Sequence, residues 1–274
     1  MAMAGCRSRW RWPWQPAMGA EQLYRRLAPA VLALDLPDGS GAGLLLCRSG
    51  LAVTNHHLVE GWSTVQVALA SGEQGLARVV RAYRDADLAF LQLEPPLLEA
   101  ALAQQRHRLI GGRVPSGRWP VVGETVLVIG HPMGLQHSLS RGVVSGCDRS
   151  VDGHTYLQLD APINPGNSGG PVCSDRGEWL GIVTCSRIDC EGVSFAIPMP
   201  IVYAKLRSLR DALAADPHQL YCSACGHGSP PGRYCRHCGS LLALVSTEAE
   251  PTRAPEPEPL AEPEPEPPQE AGRG

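Results

Sequence analysis

Short apolar or alternating runs recur along most of this chain, and turn-forming residues cut each one off. AVLALDL, GAGLLLC, LAVTN, TVQVALA, ARVVRAY and DLAFLQL fill the stretch from about Tyr24 to Leu93, separated by PDGSG, RSG, SGEQG and RDAD. Gly, Pro, Asp and Ser break strands at such places because they favour turn conformations. Runs this short at this spacing predict a small antiparallel barrel or sandwich. The rhythm breaks over 94–120, where EPPLLEAALAQQRHRL predicts a short helix and GGRVPSGRWP a loop joining two halves. It then resumes with TVLVIG, HSLSRGVVSG, TYLQLDA, EWLGIVTC and VSFAIP. In IPMPIVYAKLRSLRDALAAD, Ile201, Leu206, Leu209 and Leu213 fall near helical spacing, which predicts a helix capping one face. The fold class expected is all-β.

Composition agrees. The 274 residues are 43% hydrophobic, enough for a real core, and contain only 5% aromatics beside 30 Gly and 25 Pro. That mix suits strands and turns better than a helical bundle. The charge is uneven: residues 248–274 hold eight Glu and two Arg, a net −6, so a total of −3 leaves +3 on the rest. No basic field argues for nucleic acid as a partner. No stretch approaches the roughly 20 apolar residues that span a bilayer. The N-terminus is basic but lacks the apolar core of a secretory signal, so a cytoplasmic protein is expected. Residues 1–21, with Trp10, Trp12 and Trp14 among Arg and Pro, read as a flexible lead-in; an aromatic hook for a homo-oligomer and a later start at Met18 are the alternatives. Residues 244–274 are dominated by Pro and Glu and carry too few apolar side chains to offset ordering entropy, so a disordered tail is expected.

The stretch INPGNSGGP, residues 163–171, places Ser168 among glycines. A nucleophilic serine needs a tight bend that exposes its hydroxyl, and amides that converge on the developing oxyanion. The amides of Gly166 and Ser168 are the natural donors. A hydroxyl also needs a base to take its proton and a third group to orient that base. TNHHLV supplies His56 and His57, DADLAFLQL supplies Asp85 and Asp87, and LQLDAPIN adds Asp160. Two barrels with a cleft between them would bring one of each together.

Taken in order, VTNHHLVEG, SLSRGVVSG, YLQLDAPINPGNSGGPV, GEWLGIVTC and VSFAIP resemble the HtrA/Deg family of trypsin-like serine proteases, from about Tyr24 to Leu206. The resemblance implies two six-stranded antiparallel barrels over 22–216 with a C-terminal capping helix. It implies His57 as base, because the family pattern is T-N-x-H; His56 then fills a variable, partly exposed position facing away from Ser168. It implies Asp87 as the orienting acid, immediately before an apolar strand, with Asp85 a turn residue and Asp160 structural. Gly166, Asn167 and Ser168 become the oxyanion hole. His131 stands where relatives commonly have Asn and reads as a turn residue without a catalytic role. The substrate side-chain pocket would be built from Pro162, Ile163, Val193, Ser194 and Phe195. No carboxylate stands there to pair with Arg or Lys, so small to medium aliphatic P1 residues are expected. The family usually carries PDZ domains after the protease; the residues beyond the capping helix do not accommodate one.

Those residues hold a different signal. YCSACGHGSPPGRYCRHCGSLL reads Cys222-x2-Cys225, nine residues, Cys235-x2-Cys238. Paired CxxC knuckles place four thiolates tetrahedrally round Zn²⁺, so a structural zinc ribbon over 219–243 is expected. A redox pair or disulfides are disfavoured by the doubled spacing, and His227 and His237 are not needed as ligands. Metal binding, on the order of 10–16 kcal/mol, would supply the folding energy of so small a segment; chelation is expected to melt it and leave the barrels folded. Cys6, Cys47, Cys147, Cys173, Cys185 and Cys190 read as free thiols, a Cys185–Cys190 bridge being disfavoured in a reducing compartment. Two function classes follow. The first is a serine endopeptidase acting on polypeptides in protein quality control or regulated proteolysis, with the ribbon as a docking or regulatory piece that binds a protein partner. The second is a catalytically silent protease-fold scaffold that binds partners through the ribbon.

Overall fold

The computed structural model describes residues 18–37, 39–105, 109, 117–131, 137–151, 153–184, 193–230 and 232–242. Two closed antiparallel barrels follow one another along the chain. The first contains β1 (Val31–Leu36), β2 (Gly39–Leu45), β3 (Leu51–Thr54), β4 (Thr64–Ala68), β5 (Gln74–Tyr83) and β6 (Leu88–Leu93), ordered β1-β2-β3-β6-β5-β4. The second contains β7 (Thr125–Gly130), β8 (Ser138–Val151), β9 (His154–Asp160), β10 (Pro171–Ser174), β11 (Trp179–Thr184) and β12 (Ser194–Pro198), ordered β10-β11-β12-β9-β8-β7. Pairing of Ala33 with Ala68 closes the first barrel and pairing of Val172 with Val128 closes the second. Closure leaves neither barrel with an open sheet edge. The expected all-β, two-barrel architecture is what the chain forms.

The continuity of the apolar runs has a structural cause. Successive strand residues point to opposite faces, and several strands are covered on both. Leu45 packs inside the first barrel while Leu44 packs into a core shared between the barrels. Val183 and Ala196 fill the second barrel, while their neighbours Ile182 and Ile197 join that shared core. Phe90, fully buried, sits there with Leu88 and Val53.

Helix α4 (Met199–Ala215) seals the shared core with Met199, Val202, Tyr203, Leu206 and Leu209. This is the expected capping helix, although Ile201 and Leu213 are only partly buried. Helix α3 (Pro95–Gln104), in the predicted connection, buries Leu97 and Ala101 against the first barrel.

Outside the site, two elements differ from the sequence reading. Helix α1 (Ala20–Leu27) occupies residues expected to be partly lead-in and partly strand. At eight residues it is too short to be stable in isolation. It holds because Leu23 and Leu27 are buried on the second barrel beside Leu127, Ile129 and Cys173. Strand β10 starts on the last two residues of the GNSGGPV motif and runs to Ser174; all four of its residues are buried. The tryptophans at 10, 12 and 14, the Cys6, Cys185 and Cys190 thiols and the Pro/Glu tail lie outside the described residues. Among the described residues, no helix is long and apolar enough to cross a membrane.

The cysteine-rich segment forms a two-stranded ladder, β13 (Leu220–Tyr221) with β14 (Gly228–Ser229), and β13 lies against β5 of the first barrel.

Candidate active site

The strand β3 ends at Thr54 and the chain enters a single helical turn, α2 (His56–Val59), with Asn55 at its N-cap. The two histidines are therefore on a helical turn, not in the extended segment expected from sequence. Neighbours on a helix diverge by about 100°, and the two rings part company accordingly. His56 is buried, 4% exposed, with Nε2 lacking a partner among the described residues. This corrects the expectation of a partly exposed His56. The His57 side chain is 43% exposed, so it is the imidazole that solvent and substrate can reach.

Asp87 ends the corner between β5 and β6. A short 3₁₀ turn, Arg84–Ala86, leads to it, and Asp87 takes a left-handed backbone conformation with φ 47°. That strained corner turns the carboxylate toward α2. Oδ1 accepts the His57 backbone N–H at 3.0 Å, and both oxygens lie within 3.0 Å of His57 Nδ1. Thr184 donates its hydroxyl to Oδ2 at 2.8 Å, from the second barrel. Asn55 Nδ2 donates to the Asp87 carbonyl at 3.1 Å. Burial pushes the Asp87 carboxyl up, but the hydrogen bonds and charge of His57, with Thr184 assisting, outweigh it and hold the group below its ordinary value. An ionised carboxylate only accepts. Nδ1 of neutral His57 therefore carries the proton, which leaves Nε2 with a free lone pair.

The rival acids are elsewhere. Asp85 is exposed and ion-paired with Lys205 at 2.6 Å. Asp160 is exposed at the end of β9, opposite Val143.

Ser168 follows a Pro165-Gly166 turn closed by the Asn167 N–H on the Asn164 carbonyl at 3.0 Å. Gly166 has φ 97°. A positive φ at the third position, after Pro, marks a type II turn. The type I alternative would rotate the Pro165–Gly166 peptide by well over a right angle and reverse its N–H. The amides of Gly166 and Ser168 have no backbone partner among the described residues, as an anion-binding pair requires. The Asn167 amide, expected as a third donor, is instead bonded within the turn. At Gly169, φ is 82° and a Cβ would fall on the Ala42 carbonyl and the Thr54 hydroxyl. Only glycine permits that approach.

Hydrogen bonds from both barrels bind these pieces together. Ala42 N–H donates to the Ser168 carbonyl at 2.8 Å, and Thr54 Oγ1 donates to the Ala42 carbonyl at 2.7 Å. Gly169 N–H donates to the Val183 carbonyl at 2.9 Å, one residue from the Thr184 that holds Asp87. His57, Asp87 and Ser168 are thus joined through a closed circuit of neighbours. Among the described residues no hydrogen bond links Ser168 Oγ directly to His57.

Of the residues expected around a P1 side chain, Ile163 packs at the edge of the second barrel's core. Ser194 opens β12 directly after Val193, and its hydroxyl donates to the Ala161 carbonyl at 3.4 Å. Phe195 meets Tyr156, ring centroids 6.0 Å apart.

His131 was expected to be an ordinary turn residue. It is 1% exposed and its N–H donates to the Gly166 carbonyl at 3.1 Å, steadying the turn before Ser168. Nδ1 accepts the His137 N–H at 2.9 Å, so a proton on Nδ1 would break that bond. Burial, followed by the nearby His137, lowers its pKa from 6.5 to about 4. The unfolded chain therefore binds more protons between these values, and stability falls as pH drops from 6.5 through 4. The shift corresponds to about 3 kcal/mol. His131→Asn, which keeps an acceptor, is expected to remove much of this loss. Denaturation midpoints at pH 7 and pH 4 check it; an unchanged difference between wild type and variant counts against the assignment.

A second group of polar side chains lies in the ribbon. The Sγ atoms of Cys222, Cys225, Cys235 and Cys238 all lie within 4.8 Å of one another, with 3.6 Å from Cys222 to Cys238 and 3.7 Å from Cys225 to Cys235. All seven described cysteines are free thiols. Gly226 and Gly239 turn each knuckle with φ 75° and 76°. The rings of His227 and His237 stack on each other at 3.6 Å, outside the thiol cluster.

Comparison with known proteins follows the same outline. The family profile of the trypsin-like peptidase domain matches residues 41–182, a span that contains His57, Asp87 and Ser168. The chain is 35% identical over 179 residues to the chloroplastic protease Do-like 1 of Arabidopsis thaliana, covering 62% of this chain and 39% of that protein. It is 36% identical over 179 residues to the serine protease Do-like HtrA of Bacillus subtilis strain 168, covering 60% and 38%. The chain therefore spans about two fifths of the length of these relatives. Among solved structures, the serine endoprotease from Yersinia pestis superposes with a TM-score of 0.58 at 30% identity, covering 72% of this chain and 69% of that one. With both barrels, the His57–Asp87 pair and the Ser168 turn in place, this chain belongs to the trypsin-like peptidase family, as an HtrA/Deg-like serine protease domain.

Proposed function

We propose that the chain is a serine endopeptidase that hydrolyses peptide bonds in polypeptides through an acyl-enzyme, with Ser168, His57 and Asp87 as its triad. The observation that carries this reading is the His57–Asp87 pair, clamped by Thr184 from the other barrel, whose free imidazole nitrogen opens to solvent. Ser168 Oγ attacks the scissile carbonyl while His57 Nε2 takes its proton. Asp87 stabilises the imidazolium that forms. The amides of Gly166 and Ser168 receive the oxyanion. His57 then protonates the leaving amine, and water repeats the sequence on the ester. A fluorophosphonate probe tests it, because only an activated hydroxyl reacts. The full chain is expected to be labelled on the peptide carrying Ser168. Failure of an otherwise folded chain to react would favour the silent scaffold instead.

Protein quality control or regulated proteolysis is the role we infer, from the HtrA-type relatives. With Ile163, Val193 and Ser194 lining the P1 subsite and no carboxylate among them, peptides with Ala, Val or Leu at P1 are expected to be cleaved faster than those with Arg. A fluorogenic series measures this, and an Arg preference would overturn the subsite assignment.

The ribbon fits zinc. A tetrahedron with Zn–S bonds of about 2.3 Å has S–S edges of about 3.8 Å; Cys222–Cys238 and Cys225–Cys235 stand at 3.6 and 3.7 Å, and all four sulfurs lie within 4.8 Å of one another. Four thiolates close the shell, so the metal would supply folding energy and no open coordination position. Cys222, Cys225, Cys235 and Cys238 would hold it, and the ribbon would serve as a docking or regulatory piece. Free thiols throughout the described residues suit a reducing compartment such as the cytoplasm.

A further inference from the structure

The ribbon rests on the strand that delivers Asp87. Arg81, on β5, lies between two tyrosines: its Cζ is 4.5 Å from the centre of the Tyr83 ring and 4.2 Å from that of Tyr221 in the ribbon. Tyr221 immediately precedes the thiol ligand Cys222. A register shift between Val79 and Arg81 bulges β5 at this point, and bulges re-aim the side chains beside them. Arg81 Nε is buried without a hydrogen-bond partner among the described residues, so at that atom the two aromatic faces stand where water would otherwise be. One residue on, a Cβ at Gly226, next to the ligand Cys225, would lie 2.6 Å from the Ala82 carbonyl. The ribbon backbone is pressed onto β5 on both sides of its first knuckle.

From Arg81 the contacts run to the acid. Tyr83 closes the β5–β6 hairpin opposite Leu88, donates its hydroxyl to the Lys205 carbonyl at 3.1 Å, and meets Phe90 edge-on at 5.9 Å. Lys205 Nζ lies 4.9 Å from the same ring and pairs with Asp85 at 2.6 Å. Asp85 and Asp87 flank a single residue of the 3₁₀ turn that Tyr83 caps. Asp87 sits in left-handed backbone, a conformation that costs energy and needs its surroundings to hold it.

We propose that Tyr221 and Arg81 are positioning residues through which the metal-loaded ribbon holds the β5–β6 corner, and with it Asp87, in register with His57. The metal state of Cys222, Cys225, Cys235 and Cys238 then tunes turnover at a site to which the ribbon contributes no reacting group. This rests on the peptidase reading above. Asn55 and Thr184 hold Asp87 independently, so the coupling is partial. Loss of the brace is expected to lower kcat about tenfold, with KM nearly unchanged; a displacement of about 1 Å at a triad is sufficient for such an effect.

The test uses the full chain loaded with zinc. Tyr221→Ala is expected to reduce kcat on a fluorogenic peptide about tenfold and to weaken the low-field proton resonance of the His57–Asp87 hydrogen bond. Tyr221→Phe, which keeps a ring over Arg81, is expected to restore both. Stripping zinc from wild type, with release followed by a metallochromic dye, should reproduce the Tyr221→Ala values, and added zinc should reverse them. Stripping zinc from Tyr221→Ala should change them little further. If full zinc release leaves both kcat and the low-field resonance of wild type unchanged, the proposal is overturned. If stripping unfolds the barrels by near-ultraviolet circular dichroism, the comparison of Tyr221→Ala with Tyr221→Phe in the loaded chain decides, and equal values overturn it. Absence of any turnover in loaded wild type would instead defeat the peptidase reading. The resonance would then still report on the brace.

Discussion

Ser168→Ala is expected to lower kcat for peptide hydrolysis by about 10⁶-fold, as loss of a triad nucleophile does when the rest of the site stays intact. The chain should tolerate the change, because what anchors this position is backbone. The Ser168 carbonyl accepts from Ala42, the next amide donates to Val183, and the preceding turn closes through Asn164. Alanine keeps all three. What disappears is the hydroxyl that would form the acyl-enzyme. A residual rate of about 10³–10⁴ over water would remain from the oxyanion amides and substrate binding. Single-turnover assays with the fluorogenic peptide measure the loss, and matching thermal melts show that folding is preserved. A decline of less than about 100-fold in a folded variant would mean that another group carries the chemistry.

Asp87→Asn is expected to cost about 10⁴-fold near neutral pH. Each carboxylate oxygen has two neighbours: Oδ1 takes the His57 N–H and faces Nδ1, while Oδ2 faces Nδ1 and takes the Thr184 hydroxyl. An amide can fill only half of that pattern. Where its NH₂ faces Nδ1, the imidazole must accept there and carry its proton on Nε2, the nitrogen that has to receive one from Ser168. In either orientation the negative charge that stabilises the imidazolium is lost. The variant also titrates differently. The lowered carboxyl of Asp87 contributes stability that is present above the unfolded value of 3.8 and is lost as pH falls through the folded value. Asp87→Asn should flatten that part of the acid-unfolding curve. Rates from pH 5 to 9 and denaturant titrations below pH 4 follow the two effects separately. An Asn variant within tenfold of wild-type rate would assign the orienting role to another residue.

Much of the site was legible because its residue types are constrained by chemistry at fixed spacing. GNSGG must be glycine-rich, since a Cβ at Gly169 would strike Ala42 and Thr54, and Pro165-Gly166 announces its turn in two letters. Paired CxxC knuckles announce four converging thiols for the same kind of reason. His56 is buried, contrary to the expectation from sequence, because the turn after β3 winds as a helix, and nothing in the six letters TNHHLV separates a helical from an extended continuation. The Asn167 amide is taken up within the turn by the Asn164 carbonyl, a partner that a string of side chains does not reveal. Helix α1 went unread because eight residues carry little periodic signal, and its stability comes from Leu23 and Leu27 meeting a barrel whose strands lie about a hundred residues downstream.

The sequence by itself determined most of the strands, the capping helix, the serine turn and four thiols at ligand spacing, because strand periodicity, turn residues and ligand spacing are local properties; the resemblance to the HtrA/Deg family is what implied two closed barrels and singled out His57 and Asp87 among their rivals. Tertiary structure decided which histidine faces solvent, that Thr184 of one barrel clamps Asp87 of the other, and that the ribbon lies on β5 beside the corner bearing that acid. Those choices depend on contacts between segments that are distant along the chain, and burial and hydrogen bonding across such contacts exist only once the chain has folded.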